Sequence, residues 1–357
     1  MPPARRCSRN SSLLLLVLAV GICQEPLQTV GGERSEATSE SAEEPKNRQL
    51  LQRHDELVPR INKLWKQGHV AEAYEGLQEL LVLYEDIYPP SEFPDGHTHI
   101  VQCYRDLCRL SEKLEKTQAL LRHSQDGLAM CRRLFKDEDF PHGHVMTTGM
   151  LANLGHAWSQ NGYPAKARRR LLQSIEMNAA LREQGLASLA AESVAQLHVS
   201  TANCCSLQGD IPQALHQAEL AVKQCQNLPP TTSHLERLKI SARSFRVHGR
   251  TLISIGDYQA ATDALKQSLD LSLRRFLTER SPDSRLTLID AHTAIGILHR
   301  HKSNLPKAKW HLVKARELGG EASEKSGLLA HRLAVVDRQL RWIGELDRDP
   351  NVSGFAT

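Results

Sequence analysis

The segment Gly162-Tyr163-Pro164-Ala165-Lys166-Ala167 decides the fold, because its pattern of Gly, four residues and Ala recurs along the chain. Further copies, two of them weaker, begin at Gly68, Leu114, Gly209, Gly256 and Ser303. The successive first positions are 46, 48, 47, 47 and 47 residues apart. A repeat of this length is typical of a solenoid, in which each unit packs mainly on its neighbours.

The residues around this segment predict a pair of helices joined by a tight turn. Leu154 and Trp158 fall on one side of a helix that ends at Gly162, since Gly readily adopts the left-handed conformation after a helix. Pro164 suits the first turn of the next helix, where its missing N–H costs nothing. Ala167 lets the two helices approach closely because its side chain is small.

These positions resemble the tetratricopeptide repeat. Its signature is matched in order by Leu154-Gly155, Trp158, Gly162-Tyr163, Ala167, Leu171 and Ser174, and again in the fifth and sixth units. The resemblance covers about residues 49–320. It implies an all-α fold, a right-handed superhelical solenoid of about six hairpins with a period of about 47 residues and a C-terminal capping helix. The second unit departs most, with Leu114 in place of Gly, so we expect an irregular hairpin there.

A second recurrence narrows the resemblance. The loop Phe93-Pro94-Asp95-Gly96-His97 returns one period later as Phe140-Pro141-His142-Gly143-His144. It is similar to a loop in kinesin-light-chain-like, long-repeat bacterial proteins, notably of planctomycetes, which are often associated with CHAT protease domains. That resemblance implies a regulatory or substrate-recognition role in a CHAT-type protease system as one alternative function. No segment of about 100–200 residues is left for such a domain, so we expect the array alone.

The N-terminus predicts export. Three arginines, the last of them Arg9, precede an apolar run over residues 13–22. A bilayer span needs about 20 apolar residues, so a basic head with this shorter run indicates an export signal over residues 1–23. We therefore expect a periplasmic, cell-envelope or secreted protein. An uncleaved N-terminal membrane anchor and a lipid-modified Cys23 are the alternatives.

The remaining boundaries follow from composition and periodicity. Residues 24–47 are rich in Glu and Ser and predict a flexible acidic linker, because they cannot bury enough apolar surface to offset ordering entropy. The array is expected over residues 48–321. Apolar steps of four and three from Leu329 to Ile343 predict a capping helix over 322–347, with a tail over 348–357.

Composition and motifs argue against several functions. The net charge is only +4 and the arginine clusters lack interleaved aromatic residues, so the sequence does not predict a nucleic-acid partner. The chain has no nucleophile elbow, zinc-protease motif, phosphate loop or dinucleotide fingerprint. We therefore predict a non-enzyme that requires no cofactor.

Cysteine and histidine spacings do not predict a metal site. No Cys-x-x-Cys pair occurs among Cys103, Cys108, Cys131, Cys204, Cys205 and Cys225, which we interpret as buried thiols, with an inter-repeat disulfide left open. Pairs of the form His-x-His begin at His97, His142 and His299. For His97 and His144 we favour a role at the start of the next helix, where they would satisfy loop backbone groups, over metal binding.

The first helices of the hairpins supply the candidate binding residues, because they line the concave groove in this family. Counted from the Gly of each unit, groove positions lie 13, 10, 9, 6, 3 and 2 residues earlier. The candidates at these positions are Asn153, Asn203, Arg243, Arg246, Arg250 and Arg300. Asn can pair with a peptide backbone, and Arg can grip a carboxylate through two parallel hydrogen bonds.

The groove predicts a scaffold that binds a peptide or partner protein, and its arginines favour an acidic one. The alternative for Arg243, Arg246 and Arg250 is a solvated helix face on which Arg recurs by chance. An alternative function is a structural role in an envelope assembly. The sequence leaves the oligomeric state open. We expect the substitutions Arg246→Glu and Arg250→Glu to abolish binding of an acidic peptide and to leave thermal stability nearly unchanged.

Overall fold

The computed structural model describes residues 40–320 and 327–346, and within them the chain forms thirteen helices and no strand. The helices are α1 Glu40–Lys66, α2 Val70–Ile87, α3 Thr98–Lys113, α4 Thr117–Leu134, α5 Val145–Gln160, α6 Pro164–Glu183, α7 Ala191–Leu207, α8 Ile211–Gln226, α9 His234–Ser254, α10 Tyr258–Glu279, α11 Pro282–His301, α12 Leu305–Gly320 and α13 Gly327–Leu346.

Consecutive helices pair into six hairpins, from α1–α2 to α11–α12, followed by the single helix α13. The odd-numbered helices also contact one another along the array, α7 with α9 and α9 with α11 most closely. Each even-numbered helix packs against the odd-numbered helices that flank it in sequence. The odd-numbered helices therefore form the inner layer and the even-numbered helices the outer layer. The predicted all-α solenoid of six hairpins with a terminal helix is confirmed.

The turns inside the hairpins repeat with a strict period of 47 residues. A left-handed residue stands at the same position of every turn, where φ lies between 55° and 81°. These residues are Gly68, Glu115, Gly162, Gly209, Gly256 and Ser303. The second turn position is therefore Glu115, one residue later than the Leu114 that the sequence pattern suggested. A glutamate in the left-handed conformation hid the repeat at this point.

The second hairpin is regular, contrary to expectation. Helix α3 ends at Lys113 and α4 begins at Thr117, which leaves a turn as long as the one between α5 and α6. The Ala of the helix crossing is fully buried at Ala73, Ala167 and the later copies, and in the second unit Leu120 is buried in its place. The crossing thus tolerates a larger side chain without changing the turn.

The predicted domain boundaries stay predictions. Helix α1 is described from Glu40 and α13 from Gly327. Lys63 and Lys66 in the last turn of α1 suit the helix dipole. The predicted export signal and tail lie outside the described residues. None of the described helices is long and apolar enough to cross a membrane.

Candidate functional site

The six candidate residues all lie on inner-layer helices, but the structure does not gather them into one cluster. Asn153 is on α5, Asn203 on α7, the three arginines on α9 and Arg300 on α11. Asn153 places its Nδ2 3.9 Å from Met150 Sδ, and Asn203 is half-buried. The two asparagines keep side-chain polar groups available on the inner faces of the central hairpins.

Arg243 is held by an aspartate of the next hairpin. Its Nη2 lies 3.2 Å from Asp283 Oδ1, at the start of α11, and Arg275 Nη2 lies 2.7 Å from Asp283 Oδ2. Burial raises the pKa of Asp283, but Arg243, Lys239 and Arg275 together hold it below its ordinary value. Arg243 is therefore engaged in a structural ion-pair network.

Arg246 is also paired within the array. Its guanidinium contacts the carboxylate of Asp290 on α11, and both side chains are only 13% exposed. Arg332 of α13 binds the other oxygen of the same carboxylate, with Nε 3.1 Å from Oδ1. A Glu at position 246 would face Asp290 with like charge in a site withdrawn from water. The expectation of unchanged stability therefore does not hold for Arg246.

Arg250 is the arginine of the α9 stripe whose side chain remains free to bind. The residue is exposed, and its guanidinium has no ion-pair partner among residues 48–320 and 327–344. Partial withdrawal from water, together with the charges of Arg246 and Arg332, lowers its pKa, while Asp290 opposes the shift. The positive charge at Arg250 is thus only partly compensated by its surroundings.

Arg300 contacts the terminal helix. Its Nη1 donates to Gln339 Oε1 at 2.7 Å, and its guanidinium carbon lies 4.6 Å from the centroid of the Trp342 ring. A cation over a Trp face is a favourable arrangement. The role that the structure gives Arg300 is to hold α13 against the last hairpin.

Sequence reasoning missed a second charged group on α3. Asp106 is 1% exposed, with Arg105 Nε 3.6 Å and Arg109 Nη1 3.9 Å from its Oδ1, while its Oδ2 and Arg105 Nε lack a hydrogen-bond partner in the described residues. Burial raises the pKa of Asp106, and the two arginines oppose this. Asp106 and Arg109 occupy groove positions when the unit is counted from Glu115. Counting from Leu114 shifts those positions onto buried residues such as Cys108 and Ser111.

Charged residues of α3 and α9 act on His156 of α5. Burial lowers the pKa of His156, and Glu112 of α3 and Arg243 of α9 act on it in opposite directions. His156 Nε2 and Arg246 Nε are buried without a hydrogen-bond partner in the described residues, as are the atoms noted on α3. A buried polar group without a partner is costly. These atoms are withdrawn from solvent, so the groups that the inner layer offers to a partner are exposed ones such as Arg250.

The repeated Phe-Pro-x-Gly-His loop starts helices, as predicted. The side chains of His97 and His144 accept hydrogen bonds from the N–H groups of His99 and Met146, at 3.2 Å in both loops. Each ring also stacks on the aromatic residue that directly follows the preceding outer helix, Tyr88 or Phe135, at centroid distances of 3.7 and 3.6 Å.

The remaining His and Cys residues show no metal cluster. Within the described part of the chain, no group of three or more His, Cys, Asp or Glu side chains is arranged to hold a metal ion. The six cysteines named above are buried and free. The interpretation as buried thiols is confirmed for all six.

Comparison with known proteins places the fold. The apo form of the quorum sensor NprR from B. thuringiensis has a similar structure, with a TM-score of 0.53 and 15% identity over 78% of this chain and 66% of that chain. BtubC from P. vanneervenii has a TM-score of 0.48 and 17% identity, covering 73% of this chain and 94% of that one. A putative kinesin light chain of Podosopora anserina with TPR-like repeats has a TM-score of 0.44 and 17% identity, over 63% and 97%.

Comparison at the level of sequence found no match. No protein-family model matches the sequence. No curated protein matches it either. The chain thus has the fold of the tetratricopeptide-type helical solenoids, and the predicted association with a CHAT domain stays a prediction.

Proposed function

We propose that this chain is a non-enzymatic protein-interaction scaffold, whose groove binds an extended acidic segment of a partner protein. The observation that carries the proposal is the inner layer, where the exposed Arg250 has no ion-pair partner among the described residues and the half-buried Asn153 and Asn203 carry side-chain amides. A peptide backbone supplies both donors and acceptors at short intervals, so it suits a surface of this mixed character.

The charge of the segment is inferred from Arg250. Its neighbours Arg243 and Arg246 are neutralised by Asp283 and Asp290, whereas Arg250 is exposed beside Arg246 and Arg332. A carboxylate that reaches Arg250 gains a charge-assisted hydrogen bond, which is worth about 1.5–3 kcal/mol. Acidic side chains are therefore favoured at this point of the groove.

The test is a binding titration with a fluorescent peptide of alternating Glu and Ser, and with its Lys–Ser counterpart as the control peptide. Arg250→Glu should weaken binding of the acidic peptide by on the order of tenfold or more. Arg182→Glu makes the same charge change at an exposed position of the outer helix α6 and should leave affinity unchanged. Equal affinities of the two variants, or equal binding of the two peptides, would contradict the proposal.

We also propose that the protein is exported, on the strength of the basic head and short apolar run over residues 1–23. Fusion of these residues to a reporter that is active only outside the cytoplasm tests this directly. Activity with residues 1–23, lost when the apolar run is interrupted by charged residues, is the expected result. A reporter that remains inactive contradicts export.

A further inference from the structure

The first observation is a contact between the second hairpin and the terminal helix. Both carboxylate oxygens of Glu115, in the turn of the second hairpin, lie 3.1 Å from the backbone nitrogen of Leu328 at the start of α13. These residues are 213 positions apart in sequence. The first N–H groups of a helix have no partner inside the helix, and a carboxylate placed there is stabilised by the helix dipole. The superhelix therefore returns upon itself at this contact.

The residues at the contact are unusual for their positions. Glu115 holds a left-handed backbone with φ of 57°, at a turn position where four other units carry Gly. A Cβ on Gly327 would lie 2.6 Å from Glu115 Oε2, so a larger residue at position 327 would displace the Glu115 carboxylate. Glu115 thus supplies a carboxylate to α13 from a turn position where glycine has no side chain.

Helix α13 is tied to the groove as well as to the array's end. Arg332 binds Asp290, the partner of Arg246, and Arg300 binds Gln339. Val336 and Ile343 are buried against the last hairpin. The same helix thus bridges the sixth hairpin, the arginine stripe of α9 and the second turn.

We propose that the Glu115–Leu328 contact is a latch that joins the second hairpin to the terminal helix and limits access to the groove. The closed latch holds α13, which carries Arg332, beside Arg250 and so narrows the path to it. A partner segment enters the groove more readily after α13 separates from Glu115. The control of access rests on the proposed function, whereas the closure itself does not.

The test compares Glu115→Gly with Ser303→Gly. Both substitutions place glycine at a left-handed turn position and relieve the same backbone strain, but the Ser303 side chain makes no hydrogen bond to a distant described residue. Spin labels at Lys113→Cys and His331→Cys, which are exposed positions beside the two halves of the latch, report the distance across it. Cys7 and Cys23 are replaced by Ser in all three proteins, and the six cysteines of the described residues are buried, so labelling is selective for the introduced ones.

The parent and Ser303→Gly should give one narrow distribution of short distances, and Glu115→Gly a broader and longer one. The association rate of the acidic Glu–Ser peptide should rise on the order of tenfold in Glu115→Gly only, because a minor open state limits the rate in the others. Identical distance distributions in all three proteins would overturn the latch. A distance change with unchanged association rates would overturn its control of access. A distance change with no peptide binding to any variant would uphold the closure and reject the proposed function.

Discussion

A left-handed backbone does not require glycine in every turn of this array. Ser303 adopts φ of 55° where Gly256 adopts 81° one repeat earlier. The left-handed conformation costs a residue with a Cβ about 1–2 kcal/mol relative to glycine. The non-glycine turns are therefore local sites of backbone strain.

Substitution at the two turns should shift stability in opposite directions. Ser303→Gly should raise the free energy of unfolding by up to about 1 kcal/mol, and Gly256→Ala should lower it by about 1 kcal/mol. A Cβ on Gly256 meets no atom within 4 Å, so this cost comes from the backbone alone. Urea unfolding followed by circular dichroism measures both, and shifts of the same sign would contradict the account.

The buried cysteines should be unreactive in the folded protein. Burial raises the pKa of Cys108 and Cys131 to about 12, against opposing hydrogen bonds from Ser124 and Thr147 respectively, and it also raises the pKa of Cys225. The thiolate is the reactive form of cysteine. With Cys7 and Cys23 replaced by Ser, the native protein should therefore react with Ellman's reagent far more slowly than the urea-unfolded protein. Val82→Cys in that background, at a position that is 58% exposed, should add one fast thiol; fast thiols in the background protein itself would refute the burial.

At the scale of helices, close approach depends on glycines of the inner layer. A Cβ on Gly249 would lie 2.6 Å from Leu265 Cγ and 3.4 Å from the carbonyl oxygen of Ala261. Leu265 is fully buried, so it has no room to withdraw. The inner and outer helices of the fifth hairpin therefore pack at a distance that excludes a methyl group.

Gly249→Ala should accordingly destabilise the array even though Ala is the better helix former. Overpacking costs about 1–3 kcal/mol, against a gain of about 1 kcal/mol in helix propensity. Gly344→Ala in α13 is the matched control, because a Cβ there meets no atom within 4 Å and only the gain applies. Thermal unfolding should give a lower midpoint for the first variant and an equal or higher one for the second. The reverse order would be inconsistent with the crossing described.

The sequence pattern was sufficient to predict the helices, the turns and the inner layer, because Gly, Pro and Ala determine the backbone and the helix crossing at their own positions. It failed at the second turn, where Glu115 takes a conformation that Gly usually provides. That one-residue error also displaced the expected groove positions and hid Asp106. The pairing of Arg243 with Asp283 was missed because it joins residues 40 positions apart on different hairpins. An acidic residue 40 to 44 positions after a groove arginine, as Asp283 and Asp290 stand after Arg243 and Arg246, is the signal that sequence reasoning could have used.

For the whole molecule, we expect His292 and His311 to make the folded state less stable in mild acid. Burial lowers the pKa of His292 and His311 to about 4, with Lys314 adding to the shift of His292, and with His292 and His299 adding to that of His311. The unfolded chain binds these protons near the ordinary pKa of about 6.5. The free energy of unfolding should therefore fall as the pH decreases from about 6.5 to about 4.

Urea unfolding at a series of pH values measures this dependence. His311→Gln should reduce the slope between pH values of about 6.5 and 4, because it removes one depressed titration and relieves His292 of a neighbour. An unchanged slope in this variant would show that these two histidines do not control the acid response.

The central claim is that the inner layer is the binding surface. Site-specific photocrosslinking tests this claim most directly. A photoreactive amino acid replaces Asn203 on the inner helix α7 in one variant and Leu273, 44% exposed on the outer helix α10, in another. Each variant is irradiated with the fluorescent Glu–Ser peptide, with and without excess unlabelled peptide. We predict a crosslink at position 203 that the unlabelled peptide competes away, and none at 273. A competed crosslink at 273, or none at 203, would contradict the account.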